Sequence, residues 1–209
     1  MKPEVAVIIP ARNAAATIGA QLDALAGERC PVAWEVVVVD NGSTDATAEL
    51  VERRKADLPG LRRVAARKAY GANVARNAGC RATEAAALLF CDADDVIEAG
   101  WLGAMVRALT TYPVVGGAIE RRFLNPPAAV AGRPHRWDGL FDTFHYLPYG
   151  LTANCGARRE VWEQLGGFSE EYVHGSDDCE FFWRAQLAGY EVGYVAEAII
   201  HYRLRTGLR

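Results

Sequence analysis

Three carboxylates fall within four positions where an apolar run ends: Asp92, Asp94 and Asp95 in "FCDADD", residues 90–95. On an extended chain positions i and i+2 point the same way, so Asp92 and Asp94 project together while Asp95 begins the turn. Like charges that close repel unless a cation lies beside or between them. Mg²⁺ takes one or two carboxylates and completes its shell with water and phosphate oxygens, which makes a divalent metal one explanation. A solvated strand-to-loop junction with helix-capping aspartates is the competing one. A second acidic pair, Asp177 and Asp178 in "GSDDCEF", falls in the first turn of an expected helix, where the macrodipole keeps a carboxylate ionised. A general base needs that state, although ordinary acidity at a helix start accounts for the pair as well. Asp40 ends another apolar run, and His201 in "IIHYR" is a further candidate metal donor.

Signatures of other chemistries are absent. No G-x-G-x-x-G follows the first apolar run, and none of the lysines (Lys2, Lys55, Lys68) follows a glycine, which demotes the dinucleotide and P-loop readings. His135, His145, His174 and His201 show no zinc-ligand spacing. With 26 acidic against 23 basic residues and a net charge of −3, the 209-residue chain lacks the footprint of a nucleic-acid binder. Five cysteines without a C-x-x-C pair suit buried thiols in a reducing compartment, so the expected location is cytoplasmic. No apolar run approaches the roughly 18 residues of a membrane span, so any membrane association is expected to be peripheral or to lie beyond the end of the chain.

The elements that must hold these residues alternate. "VAVIIP" reads as a buried strand, followed by Ile18, Leu22 and Leu25 at helical spacing before Gly27. "WEVVVV" ends in "DNGSTD", where Asn41-Gly42 turns the chain and Ser43 or Thr44 is expected to cap the next helix. "LRRVAA" is a shorter strand. "GANVARNAGCRATEAA" is a helix whose Ala72, Ala75 and Gly79 let it lie close to a sheet, and "ALLF" then leads into the carboxylates. Continuously apolar strands alternating with helices imply a mostly parallel sheet flanked by helices, with ligands beyond the carboxyl ends of the strands. Asp40 and the Asp92 cluster both fall there. Past residue 120 the pattern gives way to a long Pro- and Gly-containing loop, then a strand and short helix closed by Gly166-Gly167, a helix from Ser176 to Gly189, and a last strand. Trp137, Phe141, Phe144, His145, Tyr146 and Tyr149 follow the long loop and could stack on an acceptor or pack an amphipathic segment, while Trp162, Phe168, Phe182 and Trp183 are expected in the core.

Taken in order, these segments resemble the family 2 glycosyltransferases, which have the GT-A fold. "VAVIIPARN" is similar to that family's opening strand and nucleotide loop, "VVVVDNGSTDAT" to its second strand and turn, and "GANVARNAG" to the helix before its metal motif. "CDADD" resembles its D-x-D element, "NCGARREVWEQLGGFSEEY" its acceptor-side segment, "SDDCEFFWRAQLAGY" its catalytic helix and "HYR" its late histidine. The resemblance covers nearly the whole chain. It implies one Rossmann-like GT-A domain over residues 1–209, with a nucleotide-binding half to residue 95 and an acceptor and catalytic half after it.

The resemblance also implies roles. Pro10, Ala11 and Asn13 would line the nucleotide pocket, and Asp40 would hydrogen-bond the base. Arg76 would lie near the diphosphate or steady the acidic cluster, a plain structural salt bridge being the alternative. Asp92 would meet the ribose or the outer shell of the metal. Asp94 would bind Mn²⁺ or Mg²⁺ directly, with His201 as a further ligand, and Asp95, Asn154 and Asp177 would face the donor sugar or acceptor. Asp178 matches the general base of an inverting transfer from a UDP- or GDP-sugar to a carbohydrate, lipid-linked or small-molecule acceptor. Two other readings stand beside it. A haloacid dehalogenase-type phosphatase would use Asp92 as nucleophile but needs a lysine between the two acidic clusters, and there is none after Lys68. A nucleotide-sugar-binding module without turnover would have no need of Asp178.

Overall fold

A computed structural model describes residues 2–58, 60–66, 70–172 and 176–204; Lys68, His174 and the side chain of Asp177 lie outside the described residues. In chain order the elements are β1 (Val5–Ala11), α1 (Ile18–Gly27), β2 (Trp34–Asp40), α2 (Thr47–Arg54), β3 (Leu61–Ala65), α3 (Ala72–Arg81), β4 (Ala87–Cys91) and β5 (Val96–Ile97). They continue as α4 (Trp101–Thr111), β6 (Val114–Glu120), α5 (Pro127–Val130), β7 (Arg136–Trp137), β8 (Asn154–Arg158), α6 (Arg159–Gln164), α7 (Asp177–Leu187) and β9 (Val192–His201).

The strands form one sheet in the order β3-β2-β1-β4-β8-β6-β9-β5, with β7 paired to β6. The first four are parallel, as their continuous apolar runs require. Beyond β4 the sheet, mostly parallel as expected, also takes in strands of the opposite direction. β8 lies antiparallel between β4 and β6, and β5 and β7 are antiparallel to their partners, whereas β6 and β9 are parallel. The reason is the segment between β6 and β8: it leaves the sheet at the carboxyl end of β6, stays at that edge, and enters β8 from it, so β8 can only run back down.

Successive residues of a strand face opposite layers, and both layers here are apolar. Val7, Ile9, Val36 and Val38 pack with Ile18, Leu22, Val51, Trp101 and Met105, which places α1, α2 and α4 on one face. Ile8, Val37 and Val39 pack with Ala75, Val161, Phe181 and Phe182, which places α3, α6 and α7 on the other. Each large side chain so buried contributes about 1.5–3 kcal/mol. Gly79 is the tightest helix–sheet contact on the second face: a Cβ there would stand 2.5 Å from Ile8 Cγ2 and 3.0 Å from Val39 Cγ2. Small residues in α3 are thus what brings that helix down onto the strand ends that follow.

The turn after β2 is capped differently from the expectation. α2 begins at Thr47, whose N–H donates to Asp45 Oδ1 at 3.0 Å. Ser43 and Thr44 instead tie this turn to the loop after β1: Asn13 N donates to Ser43 Oγ at 3.0 Å, and Thr44 N donates to Asn13 Oδ1 at 2.8 Å.

Candidate functional site

Because β6 and β9 run with the first four strands, the carboxyl ends of six strands share one edge. Ala11, Asp40, Cys91-Asp92, Glu120 and His201 therefore meet there, although they are spread over 190 residues of chain. β8 starts at the same edge, since Cys91 pairs with Asn154, so Thr152 lies just beyond Asp92. The backbone N–H of Thr152 donates to Asp178 Oδ1, which fastens the first turn of α7 to this rim. Segment 147–152 then runs along α7, with Trp183 Nε1 donating to Leu147 O at 2.7 Å and Gln186 Nε2 to Pro148 O at 2.8 Å.

Within the cluster, one oxygen from each of Asp92, Asp94 and Asp95 lies within 4.8 Å of the others. Asp92 Oδ1 accepts from Arg76 NH2 at 2.8 Å, and the buried Arg76 also donates to Asn73 Oδ1 at 3.0 Å. Asp95 is 1% exposed; its Oδ1 accepts from Arg203 N at 2.7 Å, while its buried Oδ2 has no hydrogen-bond partner. Burial pushes the Asp95 carboxyl up to about 9, reinforced by the charges of Asp92 and Asp94 and opposed by the Arg203 amide. Three clustered carboxylates, one carrying a buried oxygen without a partner, fit a hard divalent cation, which favours oxygen donors.

A stability test follows from Asp95. Unfolded, its carboxyl titrates near 3.9; folded, near 9. Between these values the folded chain binds one proton more than the unfolded chain, so without metal this group's stabilisation is full below the lower value and is lost as pH rises through the upper one. Asp95→Asn cannot ionise and is expected to flatten the fall in stability between about pH 5 and about pH 8, read by urea unfolding with chelator present. An unaltered slope would show that Asp95 is not its source.

The structure brings some expected residues together and sends others elsewhere. Asn13 is exposed in a left-handed conformation (φ 52°), Pro10 is half-buried, and Ala11 is buried with its side chain in the core. Asp40 is 8% exposed, its Oδ1 accepting from Ser43 N at 2.9 Å and its Oδ2 lying 3.5 Å from Arg63 NH1. His201, expected among the metal ligands, stands outside the carboxylate group: Nδ1 lies 2.8 Å from Glu120 Oε2 and Nε2 3.8 Å from Glu98 Oε2, and Phe123 stacks on the ring. The parallel register that sets Glu120 opposite His201 is the cause.

Asn154, expected to face donor sugar or acceptor, is fully buried. Its amide donates to Ala118 O at 2.8 Å and Ala198 O at 2.9 Å, and its Oδ1 accepts from Trp101 Nε1 at 2.7 Å. The register of β6 against β9 slips between Gly117 and Ala118, and Asn154 satisfies carbonyls on both sides of that bulge. Trp183 lies at the margin of the expected core, partly buried and packed against it, with the largely exposed Phe144 and Tyr146 edge-on to its ring at 5.7 and 5.2 Å, whereas Trp162, Phe168 and Phe182 are buried.

With this geometry in hand, three comparisons bear on the chain. Residues 6–165 match the family described as Glycosyl transferase family 2. Glycosyltransferase AglE of Haloferax volcanii is 30% identical over 94% of this chain and 66% of its own length. The pre-mycofactocin glycosyltransferase of Mycobacterium tuberculosis is 26% identical over 99% of this chain and 44% of its own. The chain thus spans between under half and about two thirds of these relatives. Among solved structures, S. aureus TarS 1-349 in complex with UDP-GlcNAc superposes with a TM-score of 0.74 at 23% identity, covering 100% of this chain and 60% of that one. Mannosyltransferase PcManGT from Pyrobaculum calidifontis, in complex with GDP-Man and Mn²⁺, gives 0.71 at 24% identity, over 97% and 57%. None of the described helices is long and apolar enough to cross a membrane.

Proposed function

The chain belongs to glycosyl transferase family 2 and has the GT-A fold, and from that premise we propose that it transfers a sugar, with inversion, from a nucleoside-diphosphate sugar to an acceptor hydroxyl, using Asp178 as general base. The observation that carries this reading is that Thr152 ties Asp178 to the same sheet edge at which the Asp92–Asp95 cluster lies. The nucleotide would lie over the ends of β1 and β2, where Asn13 and Asp40 stand. The diphosphate would lie towards the carboxylates, with Arg76 holding Asp92 in place.

Asp92, Asp94 and Asp95 would hold the metal, and a bound divalent cation would neutralise charge gathering on the departing diphosphate. A sugar hydroxyl is too weak an acid to be deprotonated beforehand, so Asp178 accepts the proton as the new bond forms. The acceptor oxygen bonds to the anomeric carbon from the face opposite the diphosphate. The bond from that carbon to the diphosphate oxygen breaks with its electron pair going to the diphosphate, and the acceptor proton ends on Asp178. No covalent enzyme intermediate is needed. Thr152 N–H orients the base carboxylate, and the start of α7 favours its ionised form before transfer.

Titration calorimetry with UDP, GDP and their sugar conjugates, each with and without Mn²⁺, tests the reading. Binding of one nucleotide series that depends on metal is the expected result. Hydrolysis of generic phosphate esters without nucleotide binding would favour the phosphatase alternative instead.

A further inference from the structure

β2 lies between β1 and β3, so any contact between the loops after β1 and β3 must cross the end of β2. Such a contact exists. The Arg12 guanidinium carbon stands 4.1 Å from the centre of the Tyr70 ring. Arg12 directly follows β1, and Tyr70 precedes α3 on the loop from β3. At the rim of the same ring is Gly42, two residues past Asp40, with φ 78°; a Cβ there would come within 3.2 Å of Tyr70 Cε1. The floor beneath is firmly tied. Asn41 donates from Nδ2 to Ala66 O at 2.7 Å and accepts from Gly71 N at Oδ1 at 2.9 Å, so the loop carrying Tyr70 is held to the turn after Asp40.

Tyr70 is nevertheless 60% exposed. A ring placed only to fill the core would be covered. This one has a cation over one face and a glycine at its rim, with most of its surface left open beside the turn that follows Asp40. We propose that Arg12 and Tyr70 form a clamp for the nucleobase: the base stacks on Tyr70 beside Asp40, and Arg12 is the positioning residue that keeps the ring upright. This rests on the nucleotide-sugar reading and adds to it the residues that grip the base. Stacking on an aromatic ring tolerates every base because each has a π-face, so the clamp supplies affinity for the nucleoside part and leaves the choice of base to hydrogen-bonding groups.

The test is calorimetry of wild type, Tyr70→Ala, Tyr70→Phe and Arg12→Ala with UDP, GDP and inorganic pyrophosphate at fixed Mn²⁺. Tyr70→Ala is expected to weaken nucleotide binding by on the order of ten- to a hundredfold and to leave pyrophosphate binding as it was. Tyr70→Phe keeps the stacking face and should bind like wild type, with Arg12→Ala between the two. Unchanged nucleotide affinity in Tyr70→Ala would overturn the clamp. So would an equal loss for both ligands, since a stacking ring does not sense pyrophosphate. A wild-type protein that binds pyrophosphate and metal but neither nucleotide would sink the transferase reading itself, and the clamp with it.

Discussion

Asp178→Asn is expected to lower turnover by about 10²- to 10⁴-fold, the usual contribution of a positioned general base, with nucleotide affinity unchanged. Asparagine has nearly the shape of aspartate and keeps an oxygen for the Thr152 N–H, so the junction between α7 and the start of β8 is preserved. What it lacks is a basic lone pair to take the acceptor proton. Calorimetry measures the affinity, and a transfer assay with the donor that wild type binds measures the rate. Full turnover in the variant would move the base elsewhere, Asp177 on the same turn being the first place to look. No turnover in either protein, with nucleotide bound equally, would mark a binding module. The measurement therefore separates the two classes of function that the sequence left open.

How far the site was legible depends on how local its determinants are. Asp40 and the Asp92 cluster were readable because each ends a short apolar run, and a strand end buried on both faces has only one edge at which to place a charge. Gly79 was readable for a similar reason, as one of the small residues, with Ala72 and Ala75, where a helix must approach the sheet. Asn154 was not. Its role depends on a bulge in β6 against β9, about forty residues away on either side, and nothing near "NCGAR" signals that two distant carbonyls will need a partner. The contact of His201 with Glu120 was hidden for the same reason, since it follows from a parallel register that no local pattern specifies. Trp183 shows the limit of hydrophobicity as a guide: Phe181 and Phe182 on α7 are fully buried, but Trp183 sits at the core's margin and also meets the loop bearing Phe144 and Tyr146. Tyr70 gave no local signal either, because its partner Arg12 lies two strands away across the sheet.

Arg76→Ala should have the largest effect on stability of any single change at the site. The Arg76 side chain is 3% exposed and its guanidinium meets Asp92 at 2.8 Å. Removing one partner of a buried pair costs about 3–5 kcal/mol because the other charge is left behind. Asp92 retains some solvent contact, which brings the expected loss to about 2–4 kcal/mol. The guanidinium also offsets repulsion between Asp92 and Asp94, so without it these carboxylates should move apart unless another positive charge takes its place. Two measurements separate this from simple loss of packing. Mn²⁺ should raise the melting temperature of Arg76→Ala more than that of wild type, since metal and guanidinium neutralise the same carboxylates. Asp92→Asn in the Arg76→Ala background should recover part of the stability, giving a coupling free energy in a double-mutant cycle. If both losses simply add and Mn²⁺ stabilises the two proteins equally, Arg76 is a packing residue. If they couple, folding and metal binding draw on the same charges, and the cluster has been built to stand with Arg76 alone until a cation joins it.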